Sequence, residues 1–244
     1  MIDRSLNYGR HHISRFLQQA GTASAIVDLG AGKGADLAAA RAVYPQALLH
    51  GVESWTPYVE TLAAQGIDVV QLDIEHDQLP FADESVDIVI ANQVLEHCKE
   101  LFWIFSEISR TLRPGGCCII GVPNLAALHN RLLLACGRQP SPTKTASAHI
   151  RGFTRRDLEH FLTSCWPGGY KIEGFGGANF YPFPPLLAKP LAALLPNLAW
   201  GIFLLLRKNK PYRGEFLDFP KTEQLETNFY TGPTKTEEQN GRKR

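Results

Sequence analysis

The chain has 244 residues, 44% hydrophobic and 20% charged, which is enough to bury a full globular core. Its formal net charge of +1 excludes the broad positive field of a general nucleic-acid binder. Five cysteines, Cys98, Cys117, Cys118, Cys136 and Cys165, show neither CxxC nor Cys/His zinc spacing. They indicate no disulfide framework and no structural metal, and a reducing cytoplasm is the expected compartment.

The N-terminus, MIDRSLNYGRHHISRF, carries charges and histidines where a signal peptide has an apolar stretch, so export by that route is not expected. Residues 10–20 place Ile13, Phe16, Leu17 and Ala20 at helical spacing. AIVDLG (25–30) reads as a strand ending in glycine, and the alanine-rich 34–44 as a helix stopped by Pro45. The alternation repeats as strand 47–53, helix 57–65, strand 68–73 and strand 86–93. Helix 99–112 follows with one apolar face, and the turn Arg113-Pro114-Gly115-Gly116 leads into strand 117–124. Unbroken apolar strands alternating with helices predict parallel pairing by right-handed crossovers, hence a doubly wound α/β sheet buried on both faces.

Residues 125–153 break this rhythm and read as an insertion, or lid, over the sheet after the fifth strand. Thr154 and Asp157 form a capping-box-like start for helix 154–165. Strands are expected at 170–175 and 198–208. Between them runs an apolar segment, within 180–206, rich in aromatics, prolines and leucines. Its longest uninterrupted part, Leu198 to Leu206, is too short to span a bilayer, which needs about 20 residues. Followed by Arg207, Lys208 and Lys210, the segment suits either packing on the sheet or, over 180–208, peripheral contact with a membrane surface. The domain is expected to occupy 1–208, and 209–244 to be a polar, loosely held tail with few apolar anchors.

The stretch VDLGAGKGADL (27–37) carries the functional signal. A doubly wound sheet binds ligand at the carboxyl ends of its strands, where strand order reverses, and the first strand's turn lies there. Glycines admit positive φ and leave no Cβ between backbone and ligand, while the helix behind them offers free N–H groups. GAGKGA also matches the dinucleotide pattern G-x-G-x-x-G/A, and Glu53, 19 residues past Gly34, suits a ribose with either kind of ligand. Asp28 disfavours a pyrophosphate at this turn and suits a ligand bearing an ammonium. Asp73, at the end of the third strand, suits an adenine amino group, with the backbone of Ile74 at the ring edge. Lys33 lacks the Walker context G-x-x-x-x-G-K-[ST] and reads as solvated.

Taken in order, VDLGAGKGADL, GVE (51–53), QLDIE (71–75), VDIVIANQVLEH (86–97) and ISRTLRPGG (108–116) resemble the class I S-adenosylmethionine-dependent methyltransferases, in a small-molecule or lipid-type branch containing VLEH. The resemblance covers roughly residues 20–124. It implies a Rossmann-like seven-stranded sheet whose last strand is antiparallel, with S-adenosylmethionine as cofactor. It further implies that Gly30 and Gly32 pass close to the methionine part, that Asp28 orients its ammonium, and that Glu53 binds the ribose hydroxyls. Asp73 and Ile74 would read the adenine, Asn92 would face the methionine end, and Trp55 is open to stacking or to ordinary packing.

Methyl transfer from a sulfonium requires orientation, exclusion of water and a deprotonated nucleophile, and no metal is expected. His97, in VLEH, and His149, in HIRGFT (149–154), are the candidate bases. The Asn/Asp-Pro-Pro-aromatic string of many amino-methylating enzymes is replaced here by Ala91-Asn92-Gln93-Val94, which disfavours nucleic-acid base methylation. The expected reaction is methylation at oxygen or carbon of a small-molecule or lipid-linked acceptor. A non-catalytic cofactor-binding partner subunit and an NAD(P)-dependent oxidoreductase are the competing readings.

Overall fold

The computed structural model describes residues 1–226 and 228–233. Seven strands, β1 (Ala25–Leu29), β2 (Leu48–Glu53), β3 (Asp68–Gln71), β4 (Val86–Asn92), β5 (Leu112–Pro123), β6 (Tyr170–Ala178) and β7 (Gly201–Lys208), form one sheet in the order β3-β2-β1-β4-β5-β7-β6. The first five pair in parallel, and β7 lies antiparallel between β5 and β6. This is the α/β sheet expected from the sequence, with its antiparallel last strand.

Eight helices accompany it: α1 (Arg10–Gln19), α2 (Ala35–Val43), α3 (Thr56–Ala64), α4 (Leu101–Thr111), α5 (Leu128–Ala135), α6 (Arg155–Cys165), α7 (Pro185–Leu194) and α8 (Glu215–Thr222). Alternate strand residues point to opposite faces, so the apolar runs feed two cores. Val27, Leu29, Val89, Cys118 and Ile120 pack with residues of α4, α6 and α8. Ile26, Ile88, Ile90, Cys117 and Ile119 pack with residues of α1 and α2. Cys117 and Cys118 are thus buried thiols on opposite faces. Thr154 caps α6 by accepting from the Asp157 backbone N–H at 3.2 Å, as its sequence implies.

Two local expectations are corrected. The tail beyond Asn209 is not loosely held through its first half: α8 docks on α4 and Phe216 is fully buried. Tyr212, Phe216 and Phe219 recur at helical spacing and all join the core, a short amphipathic signal diluted by the surrounding polar residues. The remainder of that tail, 227 and 234–244, lies outside the described residues. The apolar run from Leu198 supplies β7, the strand expected there, buried within the sheet, and no described helix is long and apolar enough to cross a membrane. Second, Arg207 and Lys208 form no basic rim. Arg207 donates to Glu173 and to the Ala20 and Gly115 carbonyls. Lys208 is fully buried, its Nζ donating to the carbonyls of Ser109 and Leu112.

Gly121, on β5 beside Asn92, is where sheet and site meet. A Cβ there would lie 2.2 Å from Asn92 Oδ1 and 2.6 Å from the Phe203 ring. Gly121→Ala is therefore expected to cost about 1–3 kcal/mol by overpacking, read as a lower urea midpoint with an unchanged m-value.

Candidate functional site

Strand order reverses between β1 and β4, which pair from Ile26↔Ile88 to Asp28↔Ile90. At their carboxyl ends lies a cavity of about 350 Å³ lined by Gly30, Gly32, Glu53, Tyr58, Asp73, Ile74, Gln93, Val94 and His97, among others. Residues from four strand ends therefore converge, and of the predicted set Gly30, Gly32, Glu53, Asp73 and Ile74 line the cavity while Asp28 and Asn92 do not. Gly30, Gly32 and Gly34 all have positive φ. A Cβ on Gly32 would meet nothing nearer than the Gly30 carbonyl at 4.0 Å, so that turn faces open space, whereas one on Gly30 would strike Val94 at 2.7 Å.

Glu53 fastens this turn to β2. Its Oε2 accepts from the Gly32 N–H at 2.9 Å, and its Oε1 from the N–H groups of Ser54 and Trp55 at 3.0 Å. An ionised carboxylate has about four lone-pair sites, so one remains for a further donor. Asp73 is exposed and closes its own turn, accepting from the Glu75 N–H at 2.9 Å and pairing with His76 Nδ1 at 2.9 Å. Burial raises its pKa, but the contacts with His76 and Glu75 outweigh that and hold it below the usual carboxylate range. Trp55 is exposed and meets Tyr58 edge-on at 4.4 Å; Tyr58, and not Trp55, lines the cavity.

Asp28 is 2% exposed, and no described donor or cation bonds its carboxyl. Burial pushes its pKa well above the usual range, with Asp36 and Glu53 adding like-charge repulsion. Asn92 turns away from the cavity: its Nδ2 donates to the Tyr8 carbonyl at 3.1 Å and to Asp36 at 2.8 Å, and its Oδ1 has no partner. Asn92 thus positions Asp36 and the N-terminal segment, and its neighbour Gln93, at φ +57°, reaches the cavity wall instead.

A second cavity, of about 540 Å³, adjoins the first and shares Gln93 and His97 with it. Arg4, Ser5, Asn7, Tyr8, Glu96, His149 and Trp200 complete its lining. Sequence reasoning missed the N-terminal contribution and Gln93, since only Gln93's place just past the fourth strand hinted at a role. The two candidate bases come together, their rings 4.7 Å apart and perpendicular. His97 Nδ1 donates to the Ala148 carbonyl at 3.2 Å. Burial lowers the pKa of His149, aided by His97. Glu96 is 1% exposed and burial pushes its pKa up to about 8. The insertion carrying His149 is pinned here because the N–H groups of Ile150 and Arg151 donate to the Glu96 carbonyl.

A family model described as a methyltransferase domain matches residues 27–120. The malonyl-[acyl-carrier protein] O-methyltransferase of Methylococcus capsulatus is 36% identical over 181 residues, covering 69% of this chain and 61% of that one. A probable S-adenosylmethionine-dependent methyltransferase of Mycolicibacterium smegmatis is 32% identical over 106 residues, covering 42% and 37%. The chain therefore spans less than two thirds of the length of these relatives. Among solved structures, the plantazolicin methyltransferase BpumL in complex with SAH superposes with a TM-score of 0.59 at 17% identity over 85% of this chain and 86% of that one. An S-adenosylmethionine-dependent methyltransferase from Archaeoglobus fulgidus gives 0.57 at 15% identity over 82% and 93%. Residues 27–120 thus match a methyltransferase domain, and the sheet order, the glycine turn and these likenesses support the class I, S-adenosylmethionine-dependent family for it.

Proposed function

We propose that the chain binds S-adenosylmethionine in the cavity of Gly30, Glu53 and Asp73 and transfers its methyl group to an oxygen of a small acceptor held in the adjoining cavity. The observation that carries this reading is that the two cavities share one wall, Gln93 and His97, so donor and acceptor can meet there.

The residues suit the cofactor. Asp28 is a buried acid beside two further acids, lacking a cation, and an ammonium supplies one. Gly32 leaves open the space that a Cβ would fill. Bound there, S-adenosylmethionine supplies an electrophilic methyl on a sulfonium that is already a good leaving group. Glu53 binds the ribose with its remaining acceptor capacity, and Asp73 with Ile74 borders the adenine. Arg4, in the acceptor cavity, favours an acceptor with an anionic group. The O-methylating relative supports oxygen over carbon. The acceptor oxygen is deprotonated at the His97–His149 pair.

A lipid-linked acceptor is favoured by one feature, the four exposed leucines Leu186, Leu187, Leu194 and Leu195 on and just after α7. These are the part of the apolar segment left for membrane contact once β7 is buried. The protein is expected to float with anionic liposomes, and replacement of Leu186 and Leu194 by Ser to abolish flotation; protein left in the soluble fraction before any substitution refutes membrane contact.

Calorimetric titration is expected to show binding of S-adenosylhomocysteine and none of NADH. Glu53→Ala should weaken that binding by about 1–3 kcal/mol, and it should also loosen the glycine turn through loss of the Gly32 contact. Unchanged affinity would remove Glu53 from the ribose site.

Asp28 yields a test of opposite sign. Because the folded protein holds the Asp28 proton more tightly than the unfolded chain, stability is lost as pH rises from the ordinary carboxylate range toward the raised value. Asp28→Asn should therefore raise the thermal midpoint of the cofactor-free protein at about pH 8. The gain should vanish near about pH 4, where the acid begins to be protonated in both states. The same substitution should weaken S-adenosylhomocysteine binding, and a midpoint identical to the parent's at both pH values would refute the assignment.

A further inference from the structure

Where the two cavities meet, Glu96, His97 and His149 each bring a ligand atom to within 4.8 Å of the other two. In these residues, Glu96 Oε2 and His149 Nδ1 are buried with no hydrogen-bond partner. A carboxylate oxygen and an imidazole nitrogen left bare side by side are costly unless something binds both.

The surroundings prepare each group to accept a cation. His97 uses Nδ1 as a donor to the Ala148 carbonyl, which leaves Nε2 with its lone pair. His149 keeps Nδ1 bare of any hydrogen-bond partner. A backbone carbonyl on the far ring nitrogen is the usual outer partner of a metal-ligating histidine, fixing tautomer and ring orientation. Glu96 Oε2 is buried and bare. The nearby guanidinium does not neutralise it, because Arg151 donates to the carbonyls of Cys98 and Lys99. The Cys98 thiol points elsewhere, to the Val94 carbonyl at 3.4 Å.

We propose that Glu96, His97 and His149 hold a divalent transition-metal ion, zinc by the character of the donors, on the wall between the two cavities. Two imidazoles and one carboxylate form a catalytic zinc set, with the fourth position left for an exchangeable oxygen from the acceptor cavity. At bond lengths of about 2.1 Å, tetrahedral ligand atoms lie about 3.4 Å apart, so binding draws the His149 loop inward by about an ångström.

The proposal deepens the methyltransferase reading, on which its chemical role rests, and replaces direct proton uptake by the histidines. The cation acidifies the acceptor hydroxyl, whose proton leaves to water. The oxygen's electron pair forms the new C–O bond as the methyl C–S bond breaks, giving methylated acceptor, S-adenosylhomocysteine and one released proton. No metal was expected from the sequence, because the ligands are two adjacent residues and a third 52 positions further on, a spacing outside zinc motifs.

The test is Co²⁺ titration of the full-length, tag-free, metal-stripped protein, followed by visible absorption, with Zn²⁺ as competitor. One equivalent of Co²⁺ should develop ligand-field bands that Zn²⁺ abolishes. Loss of an outer partner typically weakens metal binding 10–100-fold, so His149→Ala and Glu96→Gln should each weaken it by more than about 100-fold. His149 lies on a half-buried loop outside both cores, so its variant keeps the fold. Cys136→Ala, at the exposed thiol, should bind as the parent does. Absence of the bands, or equal affinity in the His149 and Glu96 variants, overturns the site. S-adenosylhomocysteine titration of the same samples separates the two readings: cobalt bands without nucleoside binding keep the metal site and refute the methyl donor, and the reverse result refutes the metal alone.

Discussion

The reversal of strand order between β1 and β4 is the constraint from which the rest follows. The chain leaves β1 for β2 on one side and returns past β3 to lay β4 on the other. No crossover covers the carboxyl ends of that central pair, and a crevice opens where backbone N–H groups and strand-end side chains face outward. The glycine turn fills its floor, Glu53 and Asp73 come from one flank, and Gln93 and His97 come from the other. Sheet topology thus brings together residues more than forty positions apart without any dedicated binding loop.

The crevice is built under-neutralised. Asp28 and Asp36 on one side and Glu96 on the other are acids whose pKa values burial raises, and none has a cation within bonding distance among the described residues. A fold optimised only for stability would pair or replace such groups, since buried carboxyls without partners are expensive. Keeping them lowers the stability of the empty protein and makes the arrival of positive charge favourable. In the proposed reading the donor's ammonium answers Asp28, and a metal ion answers Glu96 with its two histidines. Both sites use one principle, a cost held in the empty fold and relieved by the ligand.

Peripheral segments close the second cavity. The N-terminal residues before α1 wall the second cavity, anchored by Asn92 to the Tyr8 carbonyl and by Asn179 to the Asp3 carbonyl. The insertion after β5 lands His149 beside His97 through the backbone of Glu96. On the other face α8 covers α4, which explains why α4 is buried nearly all round and not on the single face its periodicity suggests. The tail continues over it, the Tyr230 N–H donating to Glu100 and Phe229 packing on Phe102.

The sequence by itself determined the strand-helix alternation, the sheet class and the glycines and acids that gather at the crevice, because these depend on local chemistry: apolar periodicity, glycines at positive φ, and acids at strand ends. Asn92 shows the limit of that reading, since its position at a strand end was legible but the direction of its amide was set by Asp36 and Tyr8, far away in the chain. Arg4 and Trp200 carried no local signal at all, and Gln93 only its place just past the fourth strand. The proximity of Glu96, His97 and His149, the burial of Phe216 in a polar tail and the desolvation of Lys208 were decided only by the tertiary structure. Each depends on contacts between segments tens to about a hundred residues apart, and no periodicity or spacing encodes such contacts.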